Sequence, residues 1–181
     1  TASLVVKKQK TIGHYLLVGN VKNPKTIIFS HYDSLGPGAI DNASGTAVAL
    51  ESAIYLSRQK DLDSTLFVFD GNEEISYDYP TYWGHGYREF EKKYFKLLKK
   101  AERIIVVDCV GQGKSIFICD SRIINLAFPL KRISEIKEKV SILTGDMDIL
   151  MSVYHSALDL ADNLTEKDLK QARNIILARV R

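Results

Sequence analysis

A chain of 181 residues with 25 Lys and Arg against 22 Asp and Glu carries a net charge of only +3, so charge alone gives no reading as a nucleic-acid binder. With 45% hydrophobic and 26% charged residues it has the mix of an ordinary globular domain, and the whole chain, 1–181, is expected to form one domain with a buried core. No apolar run approaches the roughly 18 residues of a membrane span, and two cysteines without a CxxC pair argue against a disulfide scaffold.

In chain order, short β-branched or aromatic runs predict strands at 3–6, 15–18 and 26–30. Val48, Leu50, Ala53, Ile54 and Leu56 then recur at helical spacing and predict a helix over 44–59, with Asn42 or Ser44 as its cap. A strand at 65–69 leads into the least regular stretch, 71–86, which holds three tyrosines, Trp83, a proline and His85 and is expected as a loop over one end of the sheet. Phe90, Tyr94, Leu97 and Leu98 predict a helix over 87–100, whose Lys92, Lys93, Lys96, Lys99 and Lys100 form a solvated face. Strands follow at 104–108 and 115–118, with Cys109 and Cys119 in the same apolar runs and read as two buried free thiols. A helix over 124–137 precedes strands at 140–143 and 150–153. A last helix over 165–181 opens on Thr165 with Asp168 three residues on, a capping-box pattern. The alternation of strand and helix predicts an α/β layered domain with a largely parallel sheet, without repeats or low-complexity segments. The chain begins at Thr1 and not at Met, so a leader or further N-terminal sequence is one expectation; free thiols favour the cytoplasm, a leader secretion.

Unusual polar residues gather where the apolar runs stop. "TIIFS" ends at His31-Tyr32-Asp33, "TLFVFD" at Asp70-Gly71-Asn72-Glu73-Glu74, "IIVVD" at Asp108 and "LMSVY" at His155. In open α/β sheets ligands gather at the carboxyl ends of the strands. A carboxylate at one strand end commonly caps the next helix, but four strands each delivering a histidine or an acid to one edge point to a shared site. Histidine and carboxylate ligands without cysteine suit zinc and its harder relatives. His31, Asp41, Glu74, Asp108 and His155 outnumber the ligands that one tetrahedral ion needs, and a bridging carboxylate would let two ions share them. Asp33, two residues past His31, is placed to orient the imidazole, and Glu73 is surplus to the ligand count and free to act as general base.

"HYDS", "AIDNASGTAVALESA", "FDGNEE", "VVDCVG" and "YHSALD", in this order, resemble the M28 family of co-catalytic di-zinc peptidases, whose best-known members are secreted bacterial aminopeptidases. The resemblance runs from about residue 15 to 168. It implies a three-layer αβα sandwich around a mostly parallel, mixed sheet, with a peptide as substrate. It also implies that His31 is a ligand of one zinc with Asp33 behind it, that Asp41 bridges the two ions, and that Glu74, Asp108 and His155 complete the set. Glu73 takes the place of the general base, and Tyr154 that of a hydrogen-bond donor to the tetrahedral intermediate. A cis peptide between Asp41 and Asn42 is a further expectation. The chain departs from the pattern between Asp108 and His155, where only 46 residues intervene, positions 109 to 154, and "TGDMDIL" offers Asp146 as the remnant of a family element.

Other readings fit some of the same residues. A glutaminyl-cyclase-like enzyme would use one zinc, and a non-catalytic M28-like domain would bind without turnover. Serine hydrolysis lacks a G-x-S-x-G elbow, and Ser44 reads as a helix start. His14 is read as an ordinary strand residue and His85 as either a cleft residue or an exposed one. Assembly into homo-oligomers is compatible with the sequence, including one in which a neighbouring subunit completes the pocket.

Overall fold

Runs such as "TIIFSH" and "TLFVFD" are apolar throughout because both faces of the sheet they enter are covered, and every residue of each is buried. The structure, a computed structural model, describes residues 12–76, 78 and 80–180. The strand expected at 3–6 lies outside the described residues. Strands β1 (Tyr15–Gly19) and β2 (Thr26–His31) are followed by helix α1 (Gly45–Arg58), β3 (Thr65–Asp70), α2 (His85–Lys100), β4 (Arg103–Val107) and β5 (Ile116–Ile118). Helix α3 (Ser121–Ala127), β6 (Val140–Thr144), α4 (Met147–Val153) and α5 (Glu166–Val180) complete the described elements.

The six strands form one sheet in the order β1-β3-β2-β4-β6-β5. The four inner strands are parallel, and β1 and β5 run antiparallel at the two edges. Alternation along the strands splits the core into two layers. Ile27, Phe29, Leu66, Val68, Ile104 and Val106 face α2 and α3, where Phe29 meets the rings of Tyr87, Phe90 and Phe128 at centroid distances of 5.8, 5.0 and 4.9 Å. Ile28, Phe67, Phe69, Ile105, Val107 and Leu143 face Val48, Ala53 and Leu56 of α1 and Ala172 and Ile176 of α5. Each such side chain, fully buried, contributes about 1.5–3 kcal/mol of transfer free energy. The result is the expected three-layer sandwich with a mixed, mostly parallel sheet.

Four expectations are corrected. The strand expected over 150–153 is part of helix α4: the Asp146 carboxylate accepts the amides of Asp148 and Ile149 at 2.9 and 3.2 Å and caps it. A four-residue apolar run is compatible with either state, and the cap decides it. The helix expected over 124–137 is the shorter α3, capped by Asp120. Pro129 holds Phe128 out of the helical region, and only two single helical turns, Ile133–Glu135 and Lys137–Lys139, follow. Cys109 is buried as expected, but Cys119 is exposed, just past the short edge strand β5. His14 precedes β1, is exposed, and offers its carbonyl to the Tyr32 hydroxyl at 2.9 Å. Only half of the capping box forms: Thr165 Oγ1 accepts the Asp168 amide at 3.1 Å, but the Thr165 amide donates to the Gly111 carbonyl at 2.9 Å, and Asp168 Oδ2 accepts the Thr165 hydroxyl at 2.7 Å and the Gly113 amide at 3.1 Å.

Candidate metal centre

Three parallel strands and one helix end converge at the carboxyl edge of the sheet. His31 closes β2, Asp108 directly follows β4, and the segment after β3 carries Glu73 and Glu74. His155 follows α4 in a left-handed backbone conformation, φ 51°, so a helix and not a strand delivers it. Asp41 sits in the turn before α1, reached through Gly38, whose φ of 64° and close approach to Ser34 and the Asp41 carbonyl leave no room for a side chain. The Asp41–Asn42 peptide is cis.

The side chains form two triads that share Asp41. His31 Nε2 lies 3.2 Å from Asp41 Oδ1 and 3.2 Å from Asp108 Oδ1. His155 Nε2 lies 3.2 Å from Asp41 Oδ2 and 3.0 Å from Glu74 Oε2. The two oxygens of one carboxylate thus face different histidines. Glu73 joins from the side, with donor atoms of His31, Glu73 and Glu74 all within 4.8 Å of one another. All five expected ligands and Glu73 are therefore in one place. Asp33 lies behind His31: Nδ1 is 3.1 Å from the Asp33 backbone carbonyl and 3.5 Å from its Oδ1, while Oδ2 accepts the amides of Glu73 and Glu74 at 2.9 and 3.0 Å. Asp33 therefore ties the β2 end to the Glu73–Glu74 turn as well as orienting the imidazole.

The electrostatics are those of a site short of positive charge. Burial drives the Glu73 carboxyl well above its usual range, and the Asp108, Glu74 and Asp41 charges add to that. Burial and Asp41 push Glu74 up to about 8. Burial alone would push the His31 imidazole down, but the Asp108, Asp33 and Asp41 carboxylates reverse this and leave it well above the usual value. No Lys or Arg among the described residues lines the cavity over these groups. Among the described residues, His155 Nε2 and Glu74 Oε1 are buried without a hydrogen-bond partner, although His155 Nε2 is within 3.2 Å of two carboxylates. Lone pairs of mixed N and O type, turned inward and not hydrogen-bonded, fit divalent cations of the zinc type.

Positioning comes from residues outside the ligand set, one of which, Asp159, carries no expectation above. Asp159, only 1% exposed, accepts the amides of Ile40 and Asp41 at 2.7 and 3.1 Å and so binds the His155 segment to the Asp41 turn. Its signal in the sequence was its place at the end of "YHSALD". Asn42 does more than cap: Oδ1 accepts the amides of Gly45 and Cys109, and Nδ2 donates to Ser30 Oγ and the Val107 carbonyl. Ser44 is buried and serves the backbone, donating to the Ile40 carbonyl at 2.8 Å and accepting the Val110 amide at 3.2 Å. Asp146 caps α4 and stands outside the metal-ligating groups. His85 opens α2, lies 3.1 Å from Asp78 Oδ1 and is not part of the cavity wall. Tyr154 stacks on the His155 ring at 3.7 Å and lines the cavity.

That cavity, about 430 Å³, has His31, Asp41, Glu73, Glu74, Asp108 and His155 as its floor, and its walls are mostly apolar. The model for peptidase family M28 matches residues 17–141. A search of curated proteins found no match. Solved structures share the fold. An Acidobacteriales bacterium glutaminyl cyclase superposes with a TM-score of 0.69 at 18% identity, over 93% of this chain and 72% of its own. A Zn-dependent exopeptidase from Parabacteroides distasonis gives 0.66 at 19%, over 93% and 76%. An aminopeptidase from Aneurinibacillus sp. strain AM-1 gives 0.68 at 20%, over 93% of this chain and 47% of its own.

Proposed function

The chain belongs to peptidase family M28, and from that premise we propose that it is a zinc-dependent aminopeptidase that uses two metal ions. The observation that carries this reading is Asp41, whose Oδ1 faces His31 and Oδ2 faces His155, and which groups with His31 and Asp108 on one side and with Glu74 and His155 on the other. One ion would be held by His31, Asp41 and Asp108, the other by Asp41, Glu74 and His155. When bound, zinc supplies Lewis acidity that polarises the scissile carbonyl and lowers the pKa of the attacking water toward ~7. Glu73 takes the proton of that water on its carboxylate and returns it to the leaving amine; its burial suits a base that must hold a proton between the two steps. Tyr154, at the cavity edge beside His155, donates its hydroxyl proton in a hydrogen bond to the developing oxyanion. Asp33 orients His31, and the acidic floor attracts the substrate's α-ammonium.

A glutaminyl-cyclase-like reading has one observation in its favour, the fold likeness to the Acidobacteriales glutaminyl cyclase at a TM-score of 0.69. Metal analysis, paired with assays on free and N-blocked aminoacyl amides and on peptides with N-terminal glutamine, separates the two. Two zincs per chain with hydrolysis of the free-amine substrates alone is the expected result. One zinc with cyclisation of glutamine moves the assignment to the cyclase, and full metal loading without turnover of any substrate moves it to a binding domain.

A further inference from the structure

Helix α2 buries two charged side chains one turn apart, Arg88 and Glu91, each 3% exposed, and neither is among the metal-ligating groups. Burying a guanidinium is costly unless its donors are met, and the partners of Arg88 lie in the segment 76–83 and just after α3. Nε and Nη2 grip the Asp78 carboxylate at 2.7 and 2.6 Å, and Nη2 also donates to Ser76 Oγ at 3.1 Å. Nη1 donates to the Trp83 carbonyl at 2.7 Å and the Pro129 carbonyl at 3.3 Å. Glu91 accepts the amides of Arg132 and Lys131 at 2.7 and 3.0 Å and fixes the same turn after α3. The two segments are also joined directly, Trp83 Nε1 donating to the Leu126 carbonyl at 2.8 Å. What they present to the cavity is an apolar wall of Tyr82, Trp83, Leu126 and Ala127 beside the acidic floor.

From this arrangement we propose that Arg88 is a positioning residue for substrate selection: it holds Trp83 and Leu126 where they bound the space for the substrate side chain next to the scissile bond. The inference rests on the hydrolase reading above. It depends on the planar fork, because a lysine at this position keeps the charge but gathers its three donors on one nitrogen and cannot span Asp78, Trp83 and Pro129 together. Arg88 touches neither substrate nor metal ligands, so its loss should alter which side chains fit and leave the chemical step alone.

The test uses R88K with alanine, leucine and phenylalanine amides as substrates. KM for the leucine and phenylalanine amides is expected to rise about tenfold, with the alanine amide and every kcat within about twofold of wild type, since a few methylenes in an apolar pocket are worth this much discrimination. Trp83 is the only tryptophan, so its emission reads the wall directly and should shift to the red and gain acrylamide quenching. Equal losses on all three substrates, a fall in kcat, or Trp83 emission and kinetics both unchanged would overturn the proposal. Should R88K fail to melt cooperatively, D78N carries the same expectations, because Asp78 has a third of its side chain exposed and its loss removes the fork's main partner. If the wild type hydrolyses none of the amides, the hydrolase reading fails on its own. The wall is then read by titrating isoamyl alcohol, a leucine side-chain mimic, against Trp83 emission: tenfold weaker binding by R88K supports the proposal and equal binding overturns it.

Discussion

Asp41 is held by groups that ligate nothing themselves, and that is where a side-chain change should separate structure from chemistry. The Asp159 carboxylate meets two buried amides, those of Ile40 and Asp41. Removing it strands both donors at about 1–3 kcal/mol each. Asp159→Ala is therefore expected to lower stability by about 2–6 kcal/mol in urea unfolding and to weaken zinc affinity by about 10–100-fold. Unchanged zinc affinity would show that Asp41 keeps its place without the clamp. Glu73→Gln should do the opposite: turnover falls by about 10²–10⁴ as the base is lost, while zinc content stays at the wild-type level. Near-wild-type turnover in that variant would remove Glu73 from the base role. The ligand types were legible in the sequence because imidazoles and acids stood at the ends of apolar runs. The role of Asp159 was not, beyond its place at the end of "YHSALD", because a carboxylate that serves only backbone amides has no spacing rule of its own. Its partners lie 118 and 119 residues away in the chain.

Helix α4 decides how His155 reaches the site, and it is the element that the sequence misassigned. "LMSV" has too few residues to display a period, so strand and helix were equally available. The determining residue lay upstream, where Asp146 caps the amides of Asp148 and Ile149. A seven-residue helix is marginal without its cap and its packing. Asp146→Ala is expected to cost about 1 kcal/mol of stability, and to lower zinc occupancy through His155 without touching a ligand. Thermal melts with and without added zinc check this: a drop that zinc fully repairs locates the damage in the His155 half of the site. The other helices were legible because their apolar residues run for three or more turns. The helix expected over 124–137 overruns α3 because apolar residues continue past Pro129, which ends the helix whatever follows it.

Across the whole molecule, the carboxyl-end rule for open sheets predicted the location of the site before the strand order was known. The order β1-β3-β2-β4-β6-β5 was not legible, since it follows from how α1, α2 and α5 pack on the two faces and not from any one strand. With so many acids drawn to one edge, stability and metal loading should be linked to pH. Glu74, raised to about 8 from an ordinary 4.5, keeps its proton in the metal-free folded state when the unfolded chain has released it. Its favourable contribution is complete below about 4.5 and is lost as pH climbs through about 8. The metal-free protein should therefore melt at lower temperature at pH 8.5 than at pH 6. Because zinc requires the ionised carboxylate, the gain in melting temperature from zinc should be larger at the higher pH. A zinc-induced shift that is the same at both values would exclude this linkage. The two halves of the site are also built to different standards of rigidity. His31 and Asp108 stand at the ends of neighbouring, fully paired parallel strands, whereas Glu74 sits in an irregular turn and His155 behind a seven-residue helix. With the two ions proposed above in place, a chelator should accordingly empty the centre in two phases: a fast one from the Glu74–His155 half, whose frame can breathe, and a slow one from the strand-mounted half, which must wait for the sheet edge itself to loosen.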